Sequence, residues 1–152
     1  MAKQGVTKSL VAAAVIGLFA THAATAQQRS LPAGSTVHFI YFSTGSHELT
    51  PEDRDHIRDV AGMMHSTPAF TATIIGKADS VGSADSNQHL SQQRAVAVFE
   101  DLVYTNQVPE DRVLLRWTGE RLPYISNAAD EQAMAQNRMA AIIVSNDASH
   151  CP

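Results

Sequence analysis

The chain has 152 residues, a hydrophobic content of 44% and a formal net charge of −4 at pH 7. This length predicts a single domain with a hydrophobic core. The negative charge argues against nucleic acid or an anionic lipid surface as the partner, because both require a basic face. The only cysteine, Cys151, cannot form an internal disulfide; in an oxidising compartment it is either a free thiol or an intermolecular link, and the simplest interpretation is a tail residue without a role.

The first 26 residues have the pattern of a secretory signal peptide. Lys3 and Lys8 form a basic segment, an apolar run extends from Leu10 to Ala20, and residues 24–26 form an A-x-A cleavage site. The apolar run is about half the ~20 residues that a membrane-spanning helix needs. Cleavage after residue 26 predicts an exported chain without a transmembrane segment, and a retained membrane anchor is the alternative.

The rest of the chain predicts one folded domain over residues 37–145, between a polar lead-in (27–36) and a C-terminal tail (146–152). Runs of alternating or continuous β-branched and aromatic residues predict its strands. These strands are expected at residues 37–42, 70–75, 113–117 and 139–144.

Two long helices are predicted between the strands. The first begins at Thr50-Pro51-Glu52-Asp53, where a capping residue, a proline at the first helical position and two acidic residues favour a helix start, and it ends near Pro68. The second begins near Ala84 to Ser86 and is broken by Val108-Pro109, and a short third helix could occupy residues 129–136. The order βαβαββ predicts a two-layer α/β (α+β) fold, with the helices packed on one face of a mixed four-stranded sheet.

The most informative segment follows the second strand and enters the second helix. Asp79 lies in the loop that starts at Gly76, and Asn87, Ser91 and Arg94 recur at i, i+4 and i+7, which places all three on one helix face. That face is turned away from most of the apolar stripe, so it is expected to be exposed. A carboxylate and a guanidinium held close together can bind a zwitterion, whereas the simplest alternative is an ordinary surface ion pair.

The spacing G-x-x-D-x-x-G-x-x-x-x-N-x-x-L-S-x-x-R-A, from Gly76 to Ala95, resembles the peptidoglycan-binding signature of OmpA-like C-terminal domains. Residues 117–123 resemble the G-x-G-E-x-x-P turn of that family, and Asn137-Arg138 resembles its N-R-R-V segment before the last strand. The resemblance covers residues 37–144. Three departures stand out: Lys77 replaces His or Tyr, Arg116 or Trp117 replaces a glycine, and Met139 replaces an arginine. The charge of Lys77 could weaken the hold on an ammonium group or pair with Asp79.

The resemblance implies the roles of the site residues. Asp79 would accept the ammonium group of diaminopimelate in the peptidoglycan stem peptide, and Arg94 would hold its carboxylate. Asn87 would orient the loop or donate to the ligand, while Arg138 would be a second cation in the groove or a structural partner. Substitution of Asp79 or Arg94 is expected to abolish wall binding without unfolding the domain, because both residues are expected on an exposed face.

The resemblance also implies a non-catalytic protein of the periplasm, associated with the cell wall and the outer membrane, that needs no cofactor. Its expected partners are peptidoglycan and, by way of attachment, outer-membrane or envelope-complex proteins. The alternative is a protein-docking module that has the same fold and does not bind peptidoglycan.

Enzyme and metal interpretations have less support in the sequence. His47-Glu48 begins like the zinc-protease motif H-E-x-x-H, but Pro51 stands where the second histidine is required. Asp79 and Glu120 could be offered as a carboxylate pair for glycan cleavage, although the sequence does not fix their separation. No G-x-S-x-G or glycine-rich phosphate loop is present. We therefore expect no catalytic residue and no metal site.

Overall fold

The computed structural model describes residues 34–126 and 128–146. The predicted signal peptide, most of the lead-in and nearly all of the C-terminal tail, with Cys151, lie outside the described residues. None of the helices within the described ranges is both long and apolar enough to span a bilayer.

The described chain alternates four strands with three α-helices. The strands are β1 (Thr36–Tyr41), β2 (Thr71–Gly76), β3 (Val113–Trp117) and β4 (Met139–Ser145). The helices are α1 (Pro51–Ser66), α2 (Ala84–Glu100) and the short α3 (Glu131–Asn137). α2 continues into a π-helical turn at Asp101–Thr105, and a 3-10 turn at Glu110–Arg112 precedes β3. The predicted fold class is confirmed, and the short third helix makes the full order βαβαβαβ.

The sheet is mixed, with the strand order β1-β4-β2-β3. β4 is antiparallel to both of its neighbours, and β2 and β3 are parallel. Thr36 pairs with Val144 at one end of the sheet, and Tyr41 pairs with Met139 at the other end. Gly76 pairs with Ala140 at this second end, so β1 and β2 finish beside the start of β4.

Both long helices pack on the same face of the sheet. The inward residues of the strands, such as Ile40, Ile74 and Ile142, form one apolar cluster with Ile57 of α1 and Val98 of α2. A fully buried side chain of this size contributes about 1.5–3 kcal/mol. This cluster supports the rigid edge of the sheet from which the candidate site is built.

α1 begins as the sequence predicts. The Thr50 hydroxyl accepts a hydrogen bond from the Asp53 backbone N–H at 3.2 Å, and an Asp53 carboxylate oxygen accepts from the Thr50 backbone N–H at 2.9 Å. This reciprocal capping box, together with Pro51 at the first helical position, fixes the start of the helix. It also fixes the end of the loop between β1 and α1, which forms part of the site.

α2 lies unusually close to β2 because Gly76 has no side chain. A Cβ atom at Gly76 would come within 1.9 Å of the Ser91 carbonyl oxygen and 2.9 Å of the Ala95 Cβ. Real Cβ atoms do not approach other atoms so closely, so this contact requires glycine. The close approach brings the polar face of α2 against the ends of the strands.

Candidate ligand-binding site

The site centres on a buried ion pair between Asp79 and Arg138. Asp79 follows β2, Arg138 precedes β4, and the backbone N–H of Lys77 donates to the Met139 carbonyl at 2.8 Å, which keeps these two segments together. The Arg138 Nη1 donates to the Asp79 Oδ2 at 3.1 Å, with 6% of Arg138 and 4% of Asp79 exposed. The other carboxylate oxygen of Asp79 accepts from the Val81 N–H at 3.2 Å, which fixes the turn of the loop. The sheet therefore brings together two charges that lie far apart in sequence.

The Arg138 guanidinium lies between one buried and one exposed carboxylate. Its Nη2 donates to the Glu131 Oε1 at 2.6 Å, and the Glu131 side chain is 69% exposed. Burial alone would lower the pKa of Arg138, but the hydrogen bonds and charges of Glu131 and Asp79 raise this pKa above its ordinary value. The buried Nε has no hydrogen-bond partner within residues 34–126 and 128–146.

The exposed placement predicted for Asp79 and Arg94 is wrong, since Asp79 is buried and the Arg94 side chain is fully buried. Its Nε donates to the Ser46 carbonyl at 2.9 Å, its Nη1 to the Lys77 carbonyl at 2.9 Å and its Nη2 to the Ser43 carbonyl at 3.2 Å. The guanidinium carbon also lies 5.3 Å from the centroid of the Phe42 ring, within the range of a cation–π contact. Arg94 therefore joins the loop after β1 to the end of β2.

Electrostatics identify Arg94 as a buried cation without a carboxylate in direct contact among the described residues. The pKa of Arg94 is lowered to about 10, chiefly by burial; the charge of Asp79 acts to raise this pKa and the charge of Arg138 acts to lower it. Arg94 still remains protonated at pH 7. The direct partner of Asp79 is Arg138, and the joint grip of Asp79 and Arg94 on a ligand stays a prediction.

Asn87 and Ser91 share the face of Arg94, as predicted, but this face is buried as well. The Asn87 Nδ2 donates to the Glu120 Oε2 at 2.7 Å, and the Ser91 hydroxyl accepts from the Gly119 N–H at 2.9 Å. Gly119 has a φ of 59°, and a Cβ atom there would come within 2.8 Å of the Gln88 Oε1. Asn87 therefore contacts the turn after β3, and its predicted role of orienting the loop or donating to the ligand stays a prediction.

The loop between β3 and α3 is held by two further side chains. The Lys77 Nζ donates to the Leu122 carbonyl and not to Asp79, and burial lowers the pKa of Lys77. Asn137 uses both ends of its amide, accepting from the Ile125 N–H at 2.8 Å and donating to the Ile125 carbonyl at 3.0 Å. Sequence reasoning did not assign these loop contacts, and the only signal for Asn137 was its position in the N-R segment.

Two grooves adjoin the ion pair. The larger, of about 510 Å³, is lined by Arg138 itself, by residues 41–43 at the end of β1 and by Gln132, Ala135 and Gln136 of α3. The smaller, of about 260 Å³, is lined by Ala78, Ser80, Glu120, Pro123, Ile125, Ala128 and Asn137. Pockets for small ligands typically measure about 300–1,000 Å³. The larger groove is therefore the better candidate for a small zwitterionic group.

Neither the metal interpretation nor the carboxylate-pair interpretation gains support from the described residues. Within the described ranges, no three His, Cys, Asp or Glu side chains are placed to hold a metal ion. Glu120 accepts from Asn87, and Asp79 is paired with Arg138.

The fold and the site define the class of the protein. Residues 41–138 match the model of the OmpA family, and the chain belongs to that family. The matched segment contains all four candidate residues, from the end of β1 to Arg138.

Individual relatives agree with this assignment. The chain is 34% identical over 106 residues to the probable lipoprotein YiaD of Escherichia coli, covering 70% of this chain and 48% of the relative. It is 34% identical over 105 residues to the peptidoglycan-binding protein ArfA of Mycobacterium tuberculosis, covering 69% and 32%. The chain thus spans less than half the length of these two relatives. The crystal structure of the peptidoglycan-associated lipoprotein from Burkholderia pseudomallei superposes with a TM-score of 0.66 and 26% identity, over 70% of this chain and 89% of that one.

Proposed function

We propose that this domain binds peptidoglycan through the diaminopimelate of the stem peptide, without catalysis, and so connects an envelope component to the cell wall. The proposal places the protein in the periplasm. Membership of the OmpA family and the similarity to the peptidoglycan-binding protein ArfA and to the peptidoglycan-associated lipoprotein of Burkholderia support a wall ligand. The observation that carries the proposal is the Asp79–Arg138 pair beside a groove that Arg138 itself lines.

The ion pair matches the chemistry of a free amino acid end. Diaminopimelate presents an ammonium and a carboxylate on the same carbon; Asp79 can accept from the ammonium, and Arg138 can donate to the carboxylate. Each charge-assisted contact contributes about 1.5–3 kcal/mol net. After the cost of ordering a flexible peptide, a micromolar to millimolar affinity is expected for one site. Repeated contacts along a polymer would make the attachment stable.

In this proposal, Arg94 stabilises the loop that lines the site. It holds the carbonyls of Ser43 and Ser46, so the loop that forms one wall of the larger groove keeps its shape. A ligand carboxylate could reach Arg94 only if this loop released the guanidinium. The direct contact of Arg94 with the ligand therefore remains a prediction, and we assign the carboxylate to Arg138.

A sedimentation experiment tests the proposal. Purified protein is mixed with insoluble peptidoglycan of the diaminopimelate type and, separately, of the lysine type, whose stem residue lacks the terminal carboxylate. We expect the wild type to sediment with the first and much less with the second. The Asp79→Asn variant should lose at least tenfold in affinity, because it removes the charge that receives the ammonium.

The control is Asp59→Asn, which removes one negative charge from the exposed side of α1. Because breaking a buried ion pair costs about 3–5 kcal/mol, circular dichroism must first show that Asp79→Asn is folded at the assay temperature. Equal sedimentation of Asp79→Asn and wild type would reject the role of Asp79. Equal binding to both wall types would reject diaminopimelate as the recognised group. If no protein sediments, the docking-module alternative becomes the better account.

A further inference from the structure

Along one edge of the Arg138 guanidinium, only one of the two nitrogen donors has a hydrogen-bond partner among the described residues. Nη1 is fixed by the buried Asp79, whereas the Nε–Nη2 edge carries a single hydrogen bond, from Nη2 to Glu131. Nε is buried and has no hydrogen-bond partner among the described residues. This edge is a fork that fits a carboxylate with two parallel hydrogen bonds. Glu131 binds it with one oxygen, so it fills the anion position incompletely.

The Glu131 side chain can rotate away from Arg138 without disturbing α3. Glu131 is the first residue of α3, and its side chain is 69% exposed. The cap of α3 is the neighbouring Asp130, whose carboxylate accepts from the Ala133 N–H at 2.8 Å, so rotation of Glu131 into solvent leaves the helix start intact. Because the Glu131 carboxylate stays exposed to water, it loses less on leaving Arg138 than a buried carboxylate such as Asp79 would lose. Gln132, next to Glu131, lines the larger groove together with Arg138, so Glu131 lies close to the edge of that groove.

We propose that Glu131 is a built-in competitor of the ligand: its carboxylate occupies the place on Arg138 that a ligand carboxylate takes, and it swings out when the ligand binds. This inference rests on the proposed function, which supplies a ligand with a carboxylate. The ligand gains both Nε and Nη2, whereas Glu131 uses Nη2 alone. A ligand that carries only an amine cannot replace Glu131, so the exchange selects for a ligand with a carboxylate.

The test compares Glu131→Gln, which keeps the size of the side chain and removes its charge, with the wild type. The control is Glu110→Gln, which makes the same charge change at an exposed position in the 3-10 turn before β3. Binding of meso-diaminopimelate and of acetate is measured by titration, with the side-chain Nε–H signal of Arg138 followed by NMR. We expect Glu131→Gln to bind both probes about two- to fivefold more tightly than the wild type and the control, because the exposed Glu131 carboxylate no longer competes with the probe for Arg138. Cadaverine, which lacks both carboxylates, should show no such gain.

The possible outcomes separate the two proposals. Unchanged or weaker binding of both probes to Glu131→Gln overturns the competitor role and makes Glu131 a positioning residue for Arg138. If meso-diaminopimelate binds none of the proteins while acetate binds Glu131→Gln more tightly, the competitor stands and the proposed ligand is rejected. A thermal unfolding curve of Glu131→Gln within a few degrees of the wild type is expected, since the residue is exposed.

Discussion

Replacement of Arg94 by methionine should destabilise the whole domain rather than only remove binding. The variant loses three hydrogen bonds from a charged donor to the carbonyls of Ser43, Ser46 and Lys77, each contributing about 1.5–3 kcal/mol. It also relieves the cost of burying the cation. The lowering of the pKa of Arg94 to about 10 corresponds to about 3 kcal/mol. The expected net loss in the free energy of unfolding is therefore about 2–6 kcal/mol.

Urea unfolding, followed by far-UV circular dichroism and by the fluorescence of Trp117, measures this loss. The control is Arg116→Met, which removes a cation from an exposed position on β3 and should cost less than about 0.5 kcal/mol. A loss below about 1 kcal/mol for Arg94→Met would show that the buried hydrogen bonds contribute little. It would also restore the expectation that Arg94 acts mainly on the ligand.

Two further predictions concern packing and pH. Gly76→Ala should cost about 3 kcal/mol or more of the free energy of unfolding, because its Cβ would meet the Ser91 carbonyl oxygen at 1.9 Å. Gly62→Ala in α1 should instead gain about 0.5–1 kcal/mol, because a Cβ there would meet nothing within 4 Å beyond its chain neighbours and its own helix backbone. Urea unfolding measures both variants, and similar effects of the two would refute the close contact at Gly76. Burial and, secondarily, the charge of His56 lower the pKa of His38, so the unfolded chain binds a proton more readily and stability should fall as the pH drops below about 6.5. Melting temperatures between pH 8 and pH 5 should fall less steeply for His38→Gln, and parallel curves for the two proteins would contradict this.

Sequence patterns were sufficient for the fold because its main determinants are local. The alternation in β1 and the capping signals at Thr50 can each be recognised within a few residues of chain. The buried residues of α1, among them Val60 and Met64, recur at helical spacing, which a sequence pattern can show. Periodicity decides such features within a few turns of chain.

The site was predicted less well because its contacts are distant in sequence and partly made by the backbone. A polar residue on the polar side of a helix is normally predicted to be exposed. Arg94 is buried instead, because the carbonyls of the loop after β1 accept its hydrogen bonds. Backbone acceptors of this kind cannot be recognised from the pattern of side chains. Gly76 was the available signal, since a glycine at the end of a strand permits a helix to approach closely. The pairing of Asp79 with Arg138 depends on β2 and β4 being neighbours, and the sequence did not specify that order.

The sheet register also determines how the domain resists a pulling force. The site lies at the Tyr41–Met139 end of the sheet, whereas Thr36 and Val144 lie at the other end, about 20 Å away along six residues of strand. A pulling force between a ligand held at the site and a segment joined to Thr36 would act along the axis of β1. It would shear the β1–β4 ladder, whose hydrogen bonds then share the load in parallel instead of opening one after another. A tether attached at that end would therefore load the domain in its stronger direction.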